Sequence, residues 1–288
     1  MSQLHELKVT LRRAGSTTSA DVSERLLARG LALSALVEQE ERGRQQVCAY
    51  FRSAHQASRW IAWLRSERLP GVALRLRVLR DADWQDTWKR HLRPFAIARG
   101  LRVVPAWSPE AKHGPSERRI VLETGLAFGT GKHPTTRWVA QCIRELQGRF
   151  QHVLDVGLGS GVLAVVAHRC GASRIVGVDI DGEAVRVSRR NLAANGFRSA
   201  RLIHADFKTL KPAGTFDLVL ANIGAAELLG MRRQLIDATK PDGHLVLAGI
   251  PREQAARFRR QFADPALRCR RAHLASGWAG FLYHRQTR

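Results

Sequence analysis

With 288 residues, 44% of them hydrophobic, the chain is long and apolar enough for one large core or two modest ones, which excludes global disorder. Four cysteines, Cys48, Cys142, Cys170 and Cys269, lie far apart with no CxxC pair and no histidine at metal spacing, which argues against a disulfide frame or a zinc site. The formal charge of +22 invites a nucleic-acid reading, yet only 7 of the 47 basic residues are lysine and the arginines are spread through every segment.

In chain order, LHELKVTLRR at 4–13 alternates through Leu7, Val9 and Leu11, the period of a half-buried strand. A helix at 20–29, strands in LSALVEQE and QVCAYF, a helix at 54–66 and the alternating LRLRVL at 74–79 follow. That βαββαβ order predicts a small α+β domain of the split-βαβ, ferredoxin-like kind. Residues 81–92 put Trp84 and Trp88 one helical turn apart, as in a linker helix docked by two large side chains. PAWSPEAKHGPSER at 105–118 reads as a loop. No apolar run approaches membrane-spanning length and the N-terminus has no signal-peptide core, so a cytoplasmic protein without a membrane partner is expected.

From residue 133 the pattern changes to alternating strands and helices. A helix at 134–147, strand HVLDV ending at Val156, helix 162–170, strand RIVGVDI, helix 183–195 and strands RLIHAD and FDLVLANI come first. Helix 225–239, strand 244–250, helix 252–262 and two closing strands complete the chain. Repeated β-then-α units predict an α/β domain with a mostly parallel sheet covered on both faces. Ligands of such sheets bind beyond the C-terminal strand ends.

Three features collect at those ends. DVGLGSG at 155–161 is a glycine turn between a strand and a helix, where the backbone of Gly157 and Gly159 can approach a ligand closely. Asp179, twenty-two residues beyond Gly157, ends the second strand, where a carboxylate can accept the hydroxyl hydrogens of a ribose. Together they point to a nucleoside cofactor. A dinucleotide fingerprint would need Gly or Ala where Val162 stands, so the compact G-x-G-x-G form suits a cofactor with no pyrophosphate to cradle. Asn222 ends the strand of LVLANIG and either caps the following helix or orients an incoming amine with its amide oxygen. Asp206, at the end of the third strand, either caps a turn or receives an adenine amino group.

The chain resembles the ribosomal protein L11 methyltransferases, class I S-adenosylmethionine-dependent enzymes, over nearly its whole length. GLAFGTGKHPTT at 125–136 is the most specific element, supported in order and spacing by DVGLGSGVLAV, GVDIDGEAV and LVLANI, and by WQDTW at 84–88. The resemblance implies a Rossmann-like methyltransferase sheet behind the small N-terminal domain. It divides the chain into a substrate-recognition domain at 1–80, a linker helix and loop at 81–119, and a cofactor-binding domain at 120–288. By the same resemblance Thr136 is a cofactor contact beside Gly157, Asp179 and Asn222, with Phe128, Gly129, His133 and Pro134 shaping a cover over it. The implied substrate is ribosomal protein L11, methylated repeatedly at its N-terminal amine and lysines. The motif departs from the family pattern at Glu123–Thr124 (usually Asp-Pro), at Lys132 (often Thr) and at Leu158 (commonly Cys). The positive charge motivates two other readings: methylation of RNA, with rRNA or ribosome contact, or a non-catalytic RNA- or ribosome-binding protein on a methyltransferase scaffold. An NAD-dependent oxidoreductase is disfavoured by Val162.

Overall fold

The computed structural model describes residues 3–12, 17–29, 31, 36–41, 43–51, 53–80, 93–116, 118–123, 131–211 and 215–287. The chain forms two compact units, Met1–Leu92 and Arg93–Arg288. The helix expected around Trp84 and Trp88 and the GLAFGT segment, with Phe128 and Gly129, lie outside the described residues.

In the first unit, β1 (Gln3–Leu11), α1 (Ser19–Ala28), β2 (Leu36–Glu41), β3 (Arg44–Phe51), α2 (Ala54–Ser66) and β4 (Val72–Arg80) follow the expected βαββαβ order. The strands pair antiparallel in the order β2-β3-β1-β4, the split-βαβ arrangement. Alternation places Leu7, Val9 and Leu11 on the face that also carries Val47 and Ala49. Ala57, Ile61 and Leu64, spaced along one side of α2, are buried in the same core.

The second unit begins with a three-stranded sheet, order β5-β6-β7, from β5 (Phe95–Ala98), β6 (Leu101–Pro105) and β7 (Arg119–Leu122). Residues 93–119, expected as the loop part of the linker, carry most of this sheet, while 81–92 lie outside the described residues. Ile97, Leu101, Val103 and Ile120 are buried in one cluster with Trp138 and Ile143, so residues from 93 onward belong to the second unit. Between β6 and β7, a 3-10 turn at Pro109–His113 sits within the stretch expected to be a loop.

The large sheet has seven strands: β8 (His152–Val156), β9 (Arg174–Asp179), β10 (Arg201–His204), β11 (Phe216–Asn222), β12 (Thr239–Pro251), β13 (Leu267–Ala275) and β14 (Trp278–Arg285). Its order is β10-β9-β8-β11-β12-β14-β13. The first five strands are parallel, and the antiparallel β14 closes the edge with β13. This is the class I methyltransferase sheet. Its helices are α3 (Pro134–Glu145), α4 (Val162–Arg169), α5 (Gly182–Ala194), α6 (Ala225–Gly230), α7 (Arg232–Ala238) and α8 (Ala255–Phe262). Two apolar clusters flank the sheet. Trp138, Val165 and Leu282 belong to one, Leu228, Phe258 and Phe281 to the other.

Two expected elements differ. The helix expected at 225–239 breaks at Met231 (φ −112°, ψ 10°), which ends α6 and caps α7 directly after the weak helix former Gly230. The strand expected at 244–250 begins at Thr239. Its register against β11 shifts between Phe216 and Leu218, so residues 240–243 bulge outward and Asp242 takes φ 61°. Asp217 anchors that bulge through Lys240 while accepting the Gln151 and His152 N–H groups at 2.8 and 2.7 Å. These partners hold its carboxyl below the usual range despite the opposing effect of partial burial.

Candidate active site

The glycine turn leaves β8 after four consecutive buried residues. Gly157 has φ 75°, and a side chain there would run into Ile223 at the exit of β11. Gly161, φ 76°, caps α4 with Ser188 Cβ only 2.8 Å from where its own Cβ would stand. Both positions therefore need glycine for conformation and for close packing within the protein itself. The N–H groups of Gly157 and Leu158 both donate to the Val178 carbonyl, at 2.9 and 3.2 Å, and tie the turn to β9. One residue on, Asp179 accepts the Gly159 N–H at Oδ2 (2.8 Å) and the Asp181 N–H at Oδ1 (2.9 Å). The structure thus brings Gly157, Gly159 and Asp179 together at the C-terminal edge of the sheet. Beside Asp179, Ile180 is 72% exposed, an apolar surface on that edge which sequence reading passed over as the end of an ordinary strand.

Thr136 arrives on the first turn of α3. Pro134 opens that helix, and His133 caps it by accepting the Thr135 N–H at Nδ1, which also lies 2.7 Å from Thr135 Oγ1. The His133 ring stands edge-on to Trp278, with centroids 4.9 Å apart. Burial pushes its pKa down to about 4, and its enclosed Nε2 has no hydrogen-bond partner among the described residues. Thr136 is 3% exposed, and its Oγ1 accepts from Asn222 Nδ2 at 3.2 Å across 86 residues of chain. Asn222 does not cap the helix that follows it. Gly224 stands at that cap without any side-chain hydrogen bond, and Asn222 Oδ1 is an enclosed acceptor with no partner among the described residues.

Asp206 caps the 3-10 turn Phe207–Thr209 through the Lys208 N–H at 2.9 Å, so the capping reading of that residue is realised at Oδ1. Two further groups escaped sequence reading. Asp155, at the end of β8, is 1% exposed with an Oδ2 that has no partner among the described residues. Burial and then the nearby Asp179 charge push its pKa well above the usual carboxylate range, against the Ala164 N–H. An acid directly before a glycine turn was its only signal. Asn191, on α5, donates from Nδ2 to the carbonyls of Glu123 and Ser160 at 2.8 and 2.9 Å, and its Oδ1 accepts the Glu123 N–H at 2.6 Å. One side chain therefore joins the end of β7 to the glycine turn.

The edge is rich in acceptors: Asp155, Asp179, Asp181, Asp206 and the open amide oxygen of Asn222. Such a set fits a cationic ligand whose hydroxyl, amino and ammonium groups are donors. The family model for ribosomal protein L11 methyltransferase (PrmA) matches residues 3–286. A ribosomal protein L11 methyltransferase of Pelobacter propionicus is 37% identical over 232 residues, 77% of this chain and 74% of the relative. One of Geobacter sulfurreducens is 43% identical over 179 residues, 62% of this chain and 58% of the relative. The crystal structure of a ribosomal protein L11 methylase from Lactobacillus delbrueckii subsp. bulgaricus superposes with a TM-score of 0.60 at 29% identity, covering 68% of this chain and all of that one. The chain is a class I S-adenosylmethionine-dependent methyltransferase and belongs to the ribosomal protein L11 methyltransferase family.

Proposed function

We propose that this protein methylates amine nitrogens of ribosomal protein L11, its N-terminal amine and lysine side chains, in the cytoplasm. The observation that carries the reading is the open amide oxygen of Asn222, held by Thr136 at the edge where Gly159 and Asp179 meet. Asp179 would accept the ribose hydroxyls of the cofactor, with the Gly157–Gly159 backbone alongside. Ile180 would cover one face of the adenine, and the Asp206 oxygen not engaged by Lys208 would accept its amino group. Thr136 and Phe128 would close over the same site. S-adenosylmethionine, when bound, supplies a methyl group activated by the positive sulfonium.

The chain's own task is alignment and exclusion of water. An attacking lysine must be neutral although its ordinary pKa is near 10.4. Asn222 Oδ1 would accept one N–H of the neutral amine and turn its lone pair toward the methyl carbon, while solvent takes the released proton. His133 is unsuited to act as the base: with a pKa near 4 and Nδ1 engaged by Thr135, it serves as a helix cap. Residues 1–80 would be the docking module for L11, and the unit from Arg93 onward would hold the cofactor. No helix among the described residues is long and apolar enough to cross a membrane.

The test is intact-mass analysis of the source organism's L11 after incubation with the protein and S-adenosylmethionine, with its rRNA in a parallel reaction. The expected result is one or more methyl increments on L11, abolished by Asp179→Ala. Methyl incorporation into the RNA with L11 unchanged would replace the substrate while leaving the cofactor site intact.

A further inference from the structure

A second cluster lies at the other end of the large sheet, on the α3 face. His244 on β12 and His284 on β14 are direct cross-strand partners with ring centroids 5.2 Å apart. His284 is also opposite Arg268 on β13. With Arg149, just past α3, Arg270 and Glu145, these two rings surround a cavity of about 310 Å³ floored by Leu146 and Leu282. His244 sits four residues before Ala248, the partner of Asn222. At about 3.3 Å per strand residue, the cavity is about 13 Å along the sheet from the methyl-transfer edge.

A β-bulge builds one wall. Cys269 opposes Tyr283 and Arg271 opposes Leu282, which leaves Arg270 as the extra residue. Bulges re-aim side chains, and this one sends Arg270 and Arg271 toward the same face. Arg271 is neutralised by Glu145, with Nη1 2.6 Å from both carboxylate oxygens. Arg149 and Arg270 form no ion pair among the described residues, and both are exposed. A further acid, Asp242, is 3.5 Å from His284 Nε2 and largely in solvent. The cavity therefore carries uncompensated positive charge. His244 reports it: burial first, then His284, Arg149 and Arg270, push its pKa down to about 4.

We propose that this cavity binds a phosphate-bearing nucleotide of single-stranded RNA, with Arg149 and Arg270 on the phosphate and the His244–His284 pair and leucine floor against the base. Guanidinium forks match phosphate oxygens. Imidazole and guanidinium planes also stack on unpaired bases, which are the part of RNA that side chains read most readily. A cavity of this size sits at the low end of the range for small-molecule pockets, so it suits one splayed nucleotide rather than a duplex. The site is independent of the methyl-transfer reading and gives a local meaning to a charge that composition alone leaves diffuse.

The test is fluorescence anisotropy of the full chain with a labelled single-stranded RNA oligomer between about 50 and 200 mM salt. Arg149→Gln with Arg270→Gln should weaken binding about tenfold or more and reduce the log–log salt slope by about 1.4, the value for two lost phosphate contacts on a single strand. A matched control, Arg257→Gln with Arg260→Gln on exposed positions of α8, should change affinity less than about twofold while removing the same charge. Adenosine monophosphate should compete better than inorganic phosphate if the base is read. Equal weakening by both double variants would overturn the proposal in favour of diffuse attraction, and so would displacement of RNA by polyglutamate as readily as by a second RNA. Unchanged binding of S-adenosylhomocysteine by the Arg149/Arg270 variant verifies its fold. If that variant misfolds, Arg149→Lys with Arg270→Lys should keep the salt slope and lose affinity, and unchanged affinity there would equally reject the site.

Discussion

The two ends of α3 stand at two electrostatically opposite edges of one sheet. At its N-terminal end, Thr136 meets Asn222 among Asp155, Asp179 and Asp206, an edge of acceptors. Beyond its C-terminal end, Arg149 meets Arg270 and two histidines with little acid left unpaired. A net charge of +22 describes neither place. The acidic edge suits a cationic cofactor and an amine, while Arg149 and Arg270 stand together where a phosphate would be useful. Bulk charge is thus a poor guide to a catalytic site, because a few carboxylates close at hand outweigh distant arginines screened by solvent.

The sharpest way to break this contrast is Asp179→Ala. It should reduce S-adenosylhomocysteine affinity by about 100-fold in calorimetry, from two lost charge-assisted hydrogen bonds, and leave RNA affinity unchanged. Retained affinity would remove the ribose role. Asn222→Ala should lower kcat by about 100-fold while cofactor affinity changes only a few fold, since misalignment of the amine costs rate rather than binding. A loss confined to affinity would make Asn222 a cofactor ligand alone. Asn191→Ala leaves the Glu123 N–H and two carbonyls short of a partner, and should lower unfolding free energy by about 2 kcal/mol in a denaturant titration. No change there would mean that water replaces the amide.

The smallest effect separates the two edges by their histidines. His133 and His244 both have pKa values near 4, below the ordinary 6.5 of the unfolded chain. The native state therefore binds fewer protons than the unfolded one between pH 6.5 and 4. Stability from these rings is complete above pH 6.5 and falls as pH drops through that window. Burial alone depresses His133, whereas His284, Arg149 and Arg270 add to the effect on His244. Imidazole titration by NMR should show His244 rising by a few tenths of a unit when salt is raised from about 0.05 to 0.5 M, with His133 unmoved. Equal movement would show that the basic cavity is already screened.

Much of this was legible in the chain. Strict alternation in β1 and the apolar runs of β8 and β11 set the elements, and DVGLGSG with Asp179 set the edge. The encounter of Thr136 with Asn222 was implied only by family resemblance, because no local pattern joins residues 86 apart. The β5–β7 sheet stayed hidden because strands of four or five residues bounded by glycine and polar turns resemble loop. Asn222 and Asp206 were each left with two readings. Asp206 makes its cap with one oxygen only, and Asn222 makes no cap but reaches back to α3. The Arg270 bulge has no sequence signature at all, since an extra residue in a strand shows only in its pairing.

Asn191 has a neighbour one helical turn on. Asn195 accepts the Val121 N–H at 3.0 Å and donates to the Val121 carbonyl at 2.6 Å, as Asn191 does for Glu123. Two residues of strand advance about 6.6 Å and four residues of helix about 6 Å, so the two amides fall in step with the strand's open side. Helix α5 therefore stands in for a missing strand, satisfying the backbone groups that β7 turns away from β6. An exposed strand margin is where a second polypeptide adds on and aggregation begins. Here two asparagine side chains close that margin against strand addition.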